Sequence, residues 1–220
     1  LWGIIQFLPR VFDAITDPIM GFISDNTRSK WGRRRQYVFI GAILMGLAYV
    51  AMWQLHKGDG ITYNFIYFLS WSLVFYLGLT IFSVPYVAMG YEISEDFHER
   101  TQIMAVAQFI GQWAWVIAPW FWVILYDPSW FPEGADAGVR ELSVWVAIPC
   151  TLFAMIPALF LKSKSTLDRT DFSPINVSAV LGSVGKIFKS AFEAFRIKQF
   201  RQIAGATFLI FNSFNVIAAF

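Results

Sequence analysis

Residues 65–90 read FIYFLSWSLVFYLGLTIFSVPYVAMG, a run without one charged side chain. A helix that crosses a bilayer needs roughly 20 mostly apolar residues, and a chain inside lipid must pair its own backbone groups. This run therefore reads as a membrane-spanning helix. Comparable stretches recur near 1–24, 37–55, 103–126, 142–161 and 202–220, which makes six expected crossings in 220 residues. The composition agrees: 57% of residues are hydrophobic and 15% charged, against about 25% charged in soluble domains. That balance excludes disorder and argues against a water-soluble enzyme. Cys150 stands alone, so neither an internal disulfide nor a cysteine metal cluster is expected. The opening stretch carries Arg10, Asp13 and Asp17, which suits a true span rather than a signal peptide. The chain opens on Leu1 and stops within an apolar run at Phe220, and on that ground it reads as a piece of a longer protein.

Orientation follows from the basic residues of the connecting loops. Arg28, Lys30, Arg33, Arg34 and Arg35, then Arg100, then Lys162, Lys164, Arg169, Lys186, Lys189, Arg196, Lys198 and Arg201 all fall on one side. Lys57 and Arg140 fall on the other, and Arg10 lies within a span. The basic side is cytoplasmic, so Leu1 starts outside. The net charge of +2 is a matter of topology, and no nucleic-acid partner is expected. Trp53, Tyr126 and Trp130 lie near span ends and fit an aromatic belt.

The segment from 162 to 201 differs from the rest. Its first part, Leu167 to Ser178, is mostly polar and holds Pro174; beyond it Val177, Leu181, Val184, Phe188, Phe192 and Phe195 recur at helical intervals. With Lys186, Lys189, Arg196 and Lys198 among the remaining positions, this reads as an amphipathic helix in the inner interface. Three regions are therefore expected: a transmembrane bundle over 1–161, a cytoplasmic linker over 162–201, and the start of a second bundle over 202–220.

Gln6, Arg10, Asp13 and Asp17 are spaced four, three and four apart. On a helix they share one stripe, with Thr16 and Ser24 near its edge. A charge near mid-bilayer costs about 2.5–3.5 kcal/mol on insertion scales, so three facing lipid would oppose insertion by roughly 8–10 kcal/mol. They must face protein, water or an ion. One reading is an internal Arg10–Asp13 ion pair or a snorkelling helix end, which leaves Asp17 over. The other is a pair of carboxylates one turn apart that binds a hard monovalent cation or a proton. Pro18 has no N–H to give to the carbonyl one turn back, which frees an oxygen for the same site. Thr80 and Ser83 lie one turn apart beside Pro85 in the third span. They are either ordinary hydroxyls bonded to their own helix or additional ligands. Gln108 and Gln112 repeat at one turn in the fourth span, with Trp113 and Trp115 nearby; they offer hydrogen bonds and a flat wall to a polar organic solute, or a packed contact between helices.

Two stretches resemble the glycoside-pentoside-hexuronide cation symporters, the melibiose permease-like family of the major facilitator superfamily. One runs from Arg10-Val-Phe-Asp-Ala-Ile-Thr-Asp-Pro-Ile-Met-Gly through Ser24-Asp25-Asn26-Thr27-Arg28-Ser29-Lys30-Trp31-Gly32-Arg33-Arg34-Arg35. The other is Val84-Pro85-Tyr86-Val87-Ala88-Met89-Gly90-Tyr91-Glu92-Ile93, followed by Asp96-Phe97-His98-Glu99-Arg100-Thr101. The resemblance implies an all-α major facilitator bundle, here spans two to seven of twelve, in a cell membrane such as the bacterial inner membrane. It implies a cation site at Asp13, Thr16, Asp17 and Thr80, with sodium or a proton as coupling ion and no other cofactor. Arg10, Ser83, Gln108, Gln112 and Trp113 are the candidate solute-binding residues. The chain has Ser83, Val87 and Gln108 where the family's sugar site has an acidic residue, an aromatic and an arginine. Asp25, Arg28, Arg33 and Arg34, with Glu92, Glu99 and Arg100, resemble the superfamily's inner gate, a charge network that must break for inward opening.

The expected function is cation-coupled symport of a small polar solute, a sugar, glycoside or uronide, by alternating access, with the protein acting as a monomer in the lipid bilayer. A lipid or lysolipid carrier of the same branch is the rival within transport. An intramembrane enzyme would need further convergent acids or histidines, and the two histidines, His56 and His98, fall in loops on opposite sides of the membrane.

Overall fold

The computed structural model describes residues 2–132, 134–161, 166 and 175–218. Lys162, Lys164, Arg169, Pro174 and most of the polar stretch that opens the linker lie outside them. The described residues form seven α-helices: α1 (Trp2–Asp25), α2 (Arg35–Met52), α3 (Ile61–Glu92), α4 (Phe97–Tyr126), α5 (Ala135–Phe160), α6 (Val177–Ala194) and α7 (Lys198–Ala218), with a short 3₁₀ turn at Lys57–Asp59. The chain divides into two compact units, Leu1–Ser173 and Pro174–Phe220. In the second unit α6 is followed closely by α7, which starts at Lys198 rather than at the expected 202.

Four helices, α2 to α5, are long and apolar enough to cross a membrane. Among the described residues the other two expected crossings are long enough but too polar to qualify. α1 has 24 residues but carries Arg10, Asp13 and Asp17 along its middle. α7 has 21 and opens on Lys198, Gln199, Arg201 and Gln202. The helices of the first unit leave many large apolar side chains exposed, among them Leu47, Ile66, Phe109, Trp120 and Phe153, the pattern of a surface whose solvent is hydrocarbon. Tyr126 and Trp130 are exposed near helix ends as a belt requires, whereas Trp53 packs edge-on against Phe68.

Helix starts and turns have local causes. Asp96 caps α4, its Oδ1 accepting from the backbone N–H groups of His98 and Glu99 at 2.6 and 3.1 Å. Asn176 caps α6 through the N–H of Ala179 at 2.7 Å; each such cap satisfies an N–H that the helix leaves unpaired. Gly60 and Gly134 enter α3 and α5 at φ of +80° and +94°, backbone that glycine adopts without penalty.

The bundle is held by close backbone approach. A Cβ on Gly41 of α2 would stand 2.5 Å from the backbone N of Phe82 in α3, and one on Gly78 of α3 would stand 2.8 Å from the backbone N of Met45 in α2. Small residues let membrane helices approach until dispersion contacts are made along their backbones. The buried cluster of Val38, Met89 and Ala158, with Phe39, Phe82 and Leu161 packed on it, joins α2, α3 and α5 at their ends beside the basic loop. At that end the Arg35 Nε donates to the Ala158 carbonyl at 2.7 Å and its Nη2 to the Leu159 carbonyl at 3.1 Å. Those carbonyls belong to the last turn of α5 and have no helical partner of their own. Thr166 then pins the departing chain to the basic loop: its N–H donates to the Ser29 carbonyl and its Oγ1 accepts from the Ser29 N–H, both at 3.2 Å.

Candidate functional site

α1 and α3 pack side by side, and their facing stripes meet at Thr80. This residue is 2% exposed. Its Oγ1 lies 2.9 Å from Oδ1 of Asp17, 3.3 Å from Oδ1 of Asp13 and 3.2 Å from Oγ1 of Thr16. Three residues of one helix and one of its neighbour thus bring four oxygens together. The expected cation-site residues Asp13, Thr16, Asp17 and Thr80 are one cluster in space, although 63 residues separate Asp17 from Thr80.

Counting protons shows what the cluster lacks. The Thr16 hydroxyl donates to the Phe12 carbonyl one turn back at 3.1 Å. Thr80 then has a single hydroxyl hydrogen to share among two carboxylates and the Thr16 oxygen. Acceptors outnumber donors, and a cation satisfies oxygens that no donor reaches. Pro18 cannot donate to the Ala14 carbonyl between the two aspartates in sequence, which leaves a further oxygen without its helical N–H. The donor set is all oxygen, two of it anionic, and suits a hard cation over a soft one. Among the described residues no group of three or more His, Cys, Asp or Glu is arranged to hold a metal ion, as expected where two carboxylates and two hydroxyls form the set.

Arg10 makes no close ion pair with the aspartates among the described residues. Its guanidinium lies over the ring of Tyr76, 5.5 Å from the centroid, and among the described residues neither Asp13 nor Asp17 is in a salt bridge. Tyr76 stands one turn before Thr80 on α3, so the same two helices seat both the cation over an aromatic face and the oxygen cluster. The sequence reading missed Tyr76; its spacing of four from Thr80 was the available signal. Counting Arg10, the stripe carries one positive and two negative charges, and a monovalent cation would neutralise it. Asp13 is half-buried and Asp17 exposed.

The expected solute-binding residues are not gathered here. Ser83 is half-buried one turn further along α3. Gln108, Gln112 and Trp113 lie on α4, where Leu125 is the only buried residue; all three are exposed, and among the described residues nothing links them to the oxygen cluster. A cavity of about 400 Å³ between α2, α4 and α5 at the ends away from the basic loop, lined by Tyr49, Trp53, Phe121, Trp122 and Tyr126 among others, contains none of the expected site residues.

At the end beside the basic loop a second polar cluster joins three elements. Arg34, just before α2, pairs with Asp25 at the end of α1, and its Nη1 lies 2.7 Å from Oε1 of Glu92 at the end of α3. Arg33 also pairs with Glu92. Arg34 is buried at 8% exposure, while the two acids are half-exposed. Thr27 and Tyr37 close the same loop through hydroxyls 2.7 Å apart; since Thr27 donates to the Ile23 carbonyl, Tyr37 is the donor to it. Of the remaining expected gate residues, Arg28 is exposed, whereas Glu99 and Arg100 brace the α3–α4 turn. Glu99 accepts from the Ser94 hydroxyl at 2.7 Å, and Arg100 donates to the Ser94 carbonyl at 3.0 and 3.3 Å.

The family model described as MFS/sugar transport protein matches residues 1–209. A symporter of Synechocystis, itself described as uncharacterized, is 38% identical over 108 residues, 47% of this chain and 20% of that protein. The lactose permease of Leuconostoc lactis is 29% identical over 169 residues, 73% of this chain and 26% of the permease. The mouse sodium-dependent lysophosphatidylcholine symporter 1 is 32% identical over 107 residues, 47% of this chain and 20% of the symporter. The chain thus spans about a quarter or less of the length of these relatives. Apolar helices of spanning length, a helical bundle free of strands among the described residues, and the matched model over nearly its whole length have one explanation: this multi-pass membrane chain belongs to the MFS/sugar transport protein family.

Proposed function

We propose that the chain is the cation-binding part of a secondary active transporter that carries a small polar solute, a sugar, glycoside or uronide, in symport with sodium or a proton. The observation that carries this reading is the convergence of Asp13, Asp17, Thr16 and Thr80 on one point with too few donors for their oxygens. The names of the relatives, symporters and a lactose permease, support it. A monovalent cation entering the cluster offsets one of the two negative charges, Arg10 on the same stripe offsets the other, and the ion gives α1 and α3 a common ligand. If that arrangement binds solute better than the empty one, the solute strengthens cation binding by the same factor, since the linkage is reciprocal. Downhill movement of the ion then drives the cargo. The Asp25–Arg34–Glu92–Arg33 cluster would act as the inner gate, holding the cytoplasmic ends of α1 and α3 against the loop before α2 until the carrier opens inward.

A second reading, a lipid or lysolipid carrier with the same ion coupling, rests on Ser83, Val87 and Gln108 in place of charged and aromatic groups and on the mouse relative's name. The test is cation-dependent protection of the carrier against thermal unfolding with a panel of glycosides, uronides and lysolipids. Protection by a glycoside or uronide that requires sodium or protons supports the first reading. Protection by lysolipid alone supports the second, and protection that ignores every cation removes both.

A further inference from the structure

We propose that α6 lies along the inner leaflet as an anionic-lipid-binding helix, with its aromatic face among the acyl chains and its basic residues at the lipid phosphates. Val177, Leu181, Val184, Phe188 and Phe192 are spaced four, three, four and four apart, which gathers them within an arc of about 80° at 100° per residue. A helix of a packed domain turns such a stripe inward. Here it is bare: Leu181 is 64%, Phe188 56% and Phe192 67% exposed, and α6 has no buried residue.

Charge and position select the occupant. Lys186 and Lys189 project away from the apolar arc, and the Arg196 guanidinium sits 5.8 Å over the ring of Phe192, a cation held at the edge of the greasy face as a snorkelling side chain is. From 177 to 201, Lys186, Lys189, Arg196, Lys198 and Arg201 stand against the single acid Glu193. An acidic protein would answer this charge equally well; the choice of lipid rests on α7 entering the bilayer through its apolar run from Ile203 to Phe211, although its basic start keeps it outside the four apolar spans. α7 begins at Lys198, four positions after the last residue of α6. At about 3.5 Å per residue that connection reaches no more than about 14 Å, so the end of α6 is tied to the depth at which α7 enters the bilayer. A basic amphipathic helix held there meets the headgroup layer, whose anionic lipids attract each nearby Lys or Arg.

The experiment uses the whole chain in lipid nanodiscs, with Cys150→Ser and a single environment-sensitive fluorophore at Phe188→Cys or Lys186→Cys. Lipid-borne shallow nitroxides and an aqueous quencher report depth. The expected result is several-fold stronger nitroxide quenching at 188 than at 186, the reverse with the aqueous quencher, and a greater difference in phosphatidylglycerol than in phosphatidylcholine. Exchanging Lys189 and Arg196 for Gln should reduce the lipid-seated population roughly fivefold per charge. Hydrogen exchange of the α6 amides in the unlabelled chain, slower with phosphatidylglycerol, checks the same claim without the Phe188 substitution. Equal quenching at both positions overturns the proposal. So does an 188 probe shielded from lipid and water alike, which would mean that protein covers the face, or insensitivity to phosphatidylglycerol.

Discussion

Exchanging Asp13 for Asn tests the oxygen cluster while leaving its shape in place. Asn keeps the volume and an acceptor oxygen, so the 3.3 Å contact from Thr80 can persist; the change is one unit of charge. An ion seated among these oxygens would lie within about 4 Å of each carboxylate. At that distance a unit charge contributes about 1 kcal/mol where water screens it and about 4 kcal/mol near a protein surface of lower dielectric. Those limits convert to affinity losses of about fivefold and nearly a thousandfold. Asp13 is half-buried and Asp17 exposed, so Asp13→Asn should fall toward the larger loss and Asp17→Asn toward the smaller. The assay is thermal unfolding of the purified chain titrated with sodium, lithium and choline, and repeated across pH. A cation that binds only the folded state stabilises it by RT ln(1 + [L]/Kd), from which the affinity is read. The reasoning is refuted if the Asn variants match the unmodified chain, or if choline stabilises it as well as the coupling ion does.

Thr80→Val removes the hub hydroxyl without changing the buried volume. Taken as comparable to a charged hydrogen bond of about 1.5–3 kcal/mol, the lost oxygen should weaken the cation by about tenfold or more, measured by the same titration. Asp25→Asn and Glu92→Gln should each cost about 1 kcal/mol or less, since the other acid still pairs with Arg34. Together they strand a buried guanidinium and should cost roughly 3 kcal/mol or more, a non-additivity that thermal unfolding of the three variants would reveal. Gly41→Val places carbon 2.5 Å from the Phe82 backbone N, so α2 and α3 must separate. A loss of about 1–3 kcal/mol is expected, read as a lower unfolding temperature with the cation affinity retained.

The sequence carried the helices because lipid restricts the backbone so narrowly: an uncharged run such as 65–90 has one conformation open to it, and α3 extends over it at both ends. It also carried the α1 side of the site, where a stripe of charges in an apolar helix has to face something. The spacing of Thr80 and Ser83 alone left both open, because it does not report which face of α3 meets α1; the family resemblance singled out Thr80, and Thr80 is the residue at the hub. Tyr76 beneath Arg10 lies on that same face, one turn before Thr80. Asp25, Arg33, Arg34 and Glu92 are joined by tertiary approach, whereas Glu99 and Arg100 are taken up by the local turn at Ser94; a sequence shows charges near one another but not which of them a turn will capture first. The exposed Gln108, Gln112 and Trp113 of α4 were legible as a polar and aromatic patch, without the elements that would face them.

The most direct test of ion coupling is solute accumulation by the carrier in proteoliposomes under an imposed inward sodium or proton gradient. Asp13→Asn combined with Asp17→Asn should abolish accumulation above the external concentration. Uphill accumulation by the double variant at the unmodified level would contradict the assignment of these two carboxylates to the coupling ion.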